Sequence, residues 1–98
     1  MELVFKKLCD QINSLEGVKS KIKGATTTFS HKYPFASLNL KKDKIEFKFT
    51  TPSKINHTRL KPVKKLKTNK FSHTTIIVKE TDIDAQVSGW IMIAHATN

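Results

Sequence analysis

The feature that most constrains the fold of this chain is its last quarter, residues 71–96, where a β-branched run leads into an apolar segment. The run His73–Val78 has the composition of a β-strand, and we predict a strand over 73–79. The segment after it predicts a helix over 82–96, because its apolar residues recur at helical spacing and form a stripe that a sheet would cover. The stripe consists of Ile83, Val87, Trp90, Ile91 and Ala94.

An acidic turn, residues 80–84, separates the predicted strand from the predicted helix. Its three carboxylates resemble a metal or catalytic cluster, but negative charge at the first turn of a helix also stabilises that helix. Thr81 and Asp82 are both residue types that cap helices. We therefore interpret the turn as a capping segment, with one of these two residues as the cap.

A second amphipathic helix is predicted at residues 2–15, where apolar residues recur at spacings of three and four and Gly17 supplies the end. The residues from 18 to Gly24 are predicted to form a connecting turn. The apolar stripe of this first helix consists of Phe5, Leu8, Ile12 and Leu15.

Three strands are predicted between the connecting turn and residue 50, at 25–31, 35–40 and 45–50. Pro34 separates the first two, and a polar turn separates the second from the third. The third strand alternates apolar and polar residues, which predicts a sheet with one dry face and one wet face.

Together these elements predict one α+β domain that spans residues 1–98, a length that supports a single hydrophobic core. The predicted architecture is a four-stranded antiparallel sheet with the N- and C-terminal helices packed on one face, in the order α-β-β-β-loop-β-α. Both helices take the same face because two apolar stripes and one apolar sheet surface need each other. The segment 52–72 is expected to be a long loop, with or without a short edge strand.

The net charge of +10 is concentrated in that loop, because residues 52–72 hold seven of the 18 Lys and Arg residues and no carboxylate. Such a field attracts polyanions, so we expect the chain to be a basic accessory module that contacts nucleic acid or another polyanion, with weak and salt-dependent binding. The alternative is a solvated loop whose charge serves solubility. The predicted polyanion contacts are Lys54, Arg59, Lys61, Lys64, Lys65, Lys67, Lys70 and His73.

The C-terminal helix predicts a rival function, because it is apolar on all sides around residues 90–94. A helix covered on one side only would expose some of these residues. They would then form the surface of a homodimer or of a protein-interaction module without any ligand. The residues assigned to this surface are Trp90, Met92 and Ile93.

Motifs for catalysis and cofactor binding are absent from the sequence. The four histidines match no metal-ligand spacing, and the chain has no glycine-rich phosphate loop, nucleophile elbow or cysteine pair. Cys9 borders the first apolar stripe and is interpreted as a small buried side chain rather than a reactive thiol. We expect no enzymatic activity, no cofactor and no metal.

The expected location is the cytoplasm, since the single cysteine cannot form an internal disulfide and no secretory signal is recognised. No apolar run is long enough to cross a membrane, so a membrane partner is not expected.

Several of these residues recur together in a known pattern. They are the first-helix stripe, Thr27 and Phe29, the run from Phe35 to Leu38, Arg59, His73, the sequence Asp82-Ile83-Asp84, Trp90 and Ala94. In combination they resemble the family described as domain of unknown function 5655, over nearly the whole chain. That family also occurs at the C-terminal end of predicted transport proteins and beside nuclease-type modules of phage-defence systems. The resemblance supports the single-domain fold and implies an accessory module rather than a catalyst.

Overall fold

The computed structural model describes residues 2–61, 63–66 and 70–98. Within these residues the chain is an α+β domain of two α-helices and a six-stranded antiparallel sheet with the strand order β1-β2-β3-β4-β6-β5. The helices are α1 (Glu2–Asn13) and α2 (Ala85–Thr97), and the strands are β1 (Lys19–Lys23), β2 (Thr26–Ser30), β3 (Pro34–Leu40), β4 (Ile45–Thr51), β5 (Lys64–Lys65) and β6 (Phe71–Ile77).

The prediction of four strands is wrong, because the sheet gains one strand at each edge. The segment predicted as a turn after α1 is the edge strand β1, every residue of which is exposed. Its sequence lacks the apolar alternation that marks a half-buried strand, so periodicity could not reveal it. Gly17 and Gly24 have φ angles of 71° and 60° and allow the tight turns at either end of β1. The two-residue strand β5 forms the opposite edge.

One face of the sheet is dry, as predicted. Along β4 the side chains of Ile45, Phe47 and Phe49 are fully buried and alternate with more exposed neighbours. Phe49 lies at the centre of an aromatic cluster, with ring centroids 5.2 Å from Phe47 and 5.3 Å from Trp90. Such offset stacks add stability beyond the area they bury. The dry face therefore holds the hydrophobic core.

Both helices cover this dry face, which confirms the predicted layering. Leu8 and Ile12 of α1 lie in the same buried cluster as the α2 stripe and the sheet residues. Two hydrogen bonds join the α1 segment to α2: Gln11 Nε2 of α1 donates to Ser88 Oγ at 2.6 Å, and His95 Nε2 lies 2.7 Å from the carbonyl oxygen of Glu16, which follows α1. Among the described residues, no helix is long and apolar enough to span a membrane.

The start of α2 differs from the prediction. Glu80–Asp82 forms one turn of 3-10 helix, and the cap of α2 is Asp84, whose Oδ1 accepts a hydrogen bond from Val87 N at 3.1 Å. The carboxylate of Asp82 instead accepts from the backbone N–H groups of Val78 and Lys79. The capping role of the acidic turn is thus confirmed, but the capping residue was misassigned. Two capping-type residues two positions apart are indistinguishable by residue type alone.

Candidate nucleic-acid interface

The second face of the sheet carries no helix among the described residues, and we call it the open face. It is defined by strand register, since directly paired residues of neighbouring strands point to the same side. Lys48 of β4 pairs with Ser37 of β3 and with Thr74 of β6, so these three side chains point to the open face. The residues before and after each of them along its strand point to the core. An open depression of about 210 Å³ lies on this face beside Lys48.

The open face is lined by short hydroxyl side chains and long lysines. The register places on it Lys19, Lys21 and Lys23 of β1, Lys48 of β4 and Lys64 of β5, all of them exposed. The hydroxyl side chains between them can donate hydrogen bonds to phosphate oxygens. These hydroxyl residues are Thr26, Thr28, Ser30, Ser37, Thr50, Ser72 and Thr74.

Glu46 is the one carboxylate that the described strands place on the open face. Lys41 Nζ lies 2.9 Å from its Oε1, and Lys61 Nζ lies 3.8 Å from its Oε2. The hydrogen bond from Lys41 is the main reason that the pKa of Glu46 lies below its ordinary value. Lys61 is also held at this edge by its backbone N–H, which donates to the Thr74 carbonyl at 2.8 Å.

The predicted loop contacts are therefore divided by the fold. Lys61 and Lys64 lie at the open face, and Lys54 lines the same surface hollow as Lys61. Lys65 pairs with Phe71, and Phe71 pairs with Thr51, which is buried on the core side. Lys65 therefore points to the core side of the sheet edge and not to the open face. The remaining two predicted lysines are not placed on this face: Lys70 donates to Asn98 Oδ1 at 2.6 Å, and Lys67 lies outside the described residues.

Arg59 was predicted to hold an anion, but its guanidinium already has partners. Nη1 lies 3.0 Å from Asp84 Oδ2, Nη2 donates to the Asp82 carbonyl at 2.9 Å, and the group lies 5.8 Å from the Trp90 ring centroid. The backbone N–H of Val87, followed by Arg59, holds the pKa of Asp84 below its ordinary value. Arg59 therefore fastens the loop to the start of α2.

The prediction that His73 contacts an anion is wrong, because its side chain is fully buried in the core and stacks on Phe49 at 5.0 Å. The Thr51 hydroxyl donates to the Ser53 carbonyl at 2.6 Å, so its oxygen must accept from His73 Nε2 at 2.8 Å. Nδ1 is then an unprotonated acceptor, without a partner among the described residues. Burial lowers the pKa of His73, which favours the neutral ring.

The surface predicted on α2 is also divided. Trp90 is only 6% exposed and faces the sheet, so it cannot form part of an interaction surface, whereas Met92 and Ile93 are 61% and 46% exposed. They lie on the outer side of the helix with Ala85, Gly89 and Ala96. We call these five residues the α2 outer stripe.

Two features of the described part of the chain concern a metal site and a reactive thiol. No group of three or more His, Cys, Asp or Glu side chains there is placed to hold a metal ion. Cys9 is partly buried, and burial followed by the charge of Asp10 raises the pKa of its thiol to about 11. A thiol with so high a pKa is a poor nucleophile at neutral pH.

Sequence reasoning missed Lys19, Lys21, Lys23 and Lys48 as residues of the open face. The usable signal was the alternation Lys-Ser-Lys-Ile-Lys at 19–23, which puts three lysines on one side of any strand. Its single apolar residue, Ile22, is 75% exposed, so the pattern carried no sign of burial.

The chain matches a known protein family. A family model described as "Domain of unknown function (DUF5655)" matches residues 2–98. Neither a curated protein nor a solved structure matches the chain with significance.

Proposed function

Because the chain belongs to the DUF5655 family, whose description names no function, we propose one from the geometry of the chain itself: it is an accessory module that binds nucleic acid through the phosphate backbone. The observation that carries the proposal is the meeting of Lys61 and Lys64 from the loop segment with Lys48 at the centre of the open face. These residues are up to 16 positions apart in sequence.

The chemistry of this surface favours phosphate over bases as the contact. Lysine is a point charge that suits phosphate, whereas reading base edges usually relies on the fork of arginine. The one arginine of the chain is engaged with Asp82 and Asp84 just before α2. Binding is therefore expected to be weakly sequence-specific and to fall steeply with salt.

The test is fluorescence anisotropy of a labelled DNA titrated with the protein at 50 mM and 200 mM salt. The open-face variant carries Lys48→Gln, Lys61→Gln and Lys64→Gln, and it should lose at least about tenfold in affinity with a shallower salt dependence. A matched variant with the same charge change on the helix side of the molecule, Lys6→Gln, Lys32→Gln and Lys79→Gln, is the control. Wild-type protein that fails to bind DNA or RNA at 50 mM salt refutes the proposal.

A second candidate function is self-association through the α2 outer stripe. It is supported by the exposure of Met92 and Ile93 on a helix that carries no Lys, Arg, Asp or Glu. An uncharged apolar surface on a chain of net charge +10 is where two copies could approach with least repulsion.

Light scattering at high protein concentration tests this candidate. A dimeric mass that becomes monomeric in Met92→Lys, with Lys79→Gln still dimeric, supports it. A monomeric mass for the wild type at millimolar concentration removes it.

A further inference from the structure

We infer that the nucleic acid bound by this module is double-stranded, and that its contact surface crosses the whole open face from β5 to the lysines of β1. This inference rests on the proposed function and names its ligand class and the remaining contact residues. The observation behind it is that Lys19, Lys21 and Lys23 share the open face with Lys48 and Lys64 although β1 and β5 lie at opposite edges of the sheet.

The width of the open face fits a duplex. The described strands span five inter-strand spacings, and a spacing of about 4.8 Å gives roughly 24 Å between the edge strands. A B-form duplex carries one negative charge per about 1.7 Å of axis, so a length of roughly 24 Å presents about 14 phosphates. Lysines at both edges and at the centre can then contact phosphates separated across that length.

The composition of the open face disfavours a single strand. Proteins that bind single strands place aromatic side chains where bases can stack. The described strands expose no aromatic side chain on the open face: Phe29, Phe47 and Phe49 are buried on the core side, and Phe35, which borders the depression beside Lys48, is itself only 1% exposed, with its ring edge against His95. Unstacked bases would therefore find lysines, hydroxyl groups, Asn39, Glu46 and Ile76, but no exposed aromatic ring on the described strands.

Charge on this surface is almost unopposed. Glu46 is paired with Lys41 and lies 3.8 Å from Lys61, and the carboxylates Glu80, Asp82 and Asp84 lie beside α2, on the helix layer of the molecule. The hydroxyl side chains provide additional donors to phosphate without sequence information. The surface thus suits the regular backbone of a duplex rather than a particular base sequence.

The experiment compares a labelled 20-base-pair DNA duplex with one of its strands, using anisotropy at several salt concentrations. The β1 variant carries Lys19→Gln, Lys21→Gln and Lys23→Gln, and the helix-side variant described above is the control. We expect the wild type to bind the duplex more tightly than the strand. The β1 variant should lose at least about tenfold in duplex affinity, with a salt slope smaller by up to about 2.7.

The possible outcomes distinguish this inference from the proposed function on which it rests. If the β1 variant binds the duplex with the same affinity as the helix-side control, the extended surface is overturned. Loss of binding in the Lys48, Lys61 and Lys64 variant would still support the proposed function. Tighter binding of the single strand by the wild type overturns the duplex as ligand. Absence of binding at 50 mM salt to both DNAs and to RNA overturns both proposals. Circular dichroism of each variant establishes that lost binding is not lost folding.

Discussion

Acid should destabilise this domain through one buried histidine, His73. In the folded chain its pKa lies below the ordinary value of 6.5, because the ring is buried. In the unfolded chain the ring protonates near that ordinary value. The unfolded state therefore binds more protons below pH 6.5, and the free energy of unfolding must fall as the pH decreases through this range.

The structure explains why the folded ring resists protonation. Nε2 already donates to Thr51, so an added proton would go to Nδ1, which has no acceptor among the described residues and lies beside Phe49. A buried cation with an unpaired N–H is costly. If the folded ring stays neutral throughout, the loss of stability between pH 7.5 and 5.5 is about 1.4 kcal/mol.

The assay is urea unfolding followed by the fluorescence of Trp90, the single tryptophan, at pH 7.5, 6.5 and 5.5. With a denaturant slope of about 1–3 kcal/mol/M, the midpoint should fall by about 0.5–1.4 M over this range. Glu46 and Asp84 do not interfere in this range, because the pKa of each of these carboxyl groups lies below its ordinary value and each contributes only at lower pH.

The comparison that decides the matter sets His73→Leu against the wild type at the same three pH values. Replacing His73 should flatten the pH dependence, whatever the change in stability at pH 7.5. A midpoint that falls equally in His73→Leu and in the wild type would refute the reasoning.

Three further predictions follow from the contacts. Cys9 should react with iodoacetamide at pH 8 about 100-fold more slowly than an unfolded cysteine, because its pKa is raised from 9.0 to about 11 and the reactive thiolate is correspondingly rarer. Equal reaction rates in folded and urea-unfolded protein would contradict this. Arg59→Ala should destabilise the fold by about 1–2 kcal/mol in urea unfolding, through loss of the bond to Asp82 and of the contact with Trp90, while DNA binding retains its salt slope; an unchanged midpoint would disprove the fastening role. Glu46→Gln should tighten duplex binding in the anisotropy assay, because it removes a negative charge from the open face; weaker binding would show that this face does not meet phosphate.

The two helices and the strands β2, β3, β4 and β6 could be predicted from the local sequence pattern. The same pattern predicted which face of the sheet the helices cover. Leu8 and Ile12 of α1 and the residues of α2 recur at helical spacing, and β4 alternates at strand spacing. Each of these elements buries one side, so its apolar residues recur with the period of a helix or of a strand, and that period is visible in the sequence. The edge strands β1 and β5 are exposed along their whole length, so their sequences show no such alternation of apolar and polar residues.

Tertiary structure alone decided which charged and polar side chains are available. His73 and Arg59 both stood next to lysines in the sequence, yet one is enclosed by the core and the other is held by α2. Lys21 and Lys64, 43 positions apart, share one face only because β2, β3, β4 and β6 pair between them in a fixed register. Burial periodicity is a local property of the chain, whereas the convergence of surface charge depends on strand order, which no local pattern encodes.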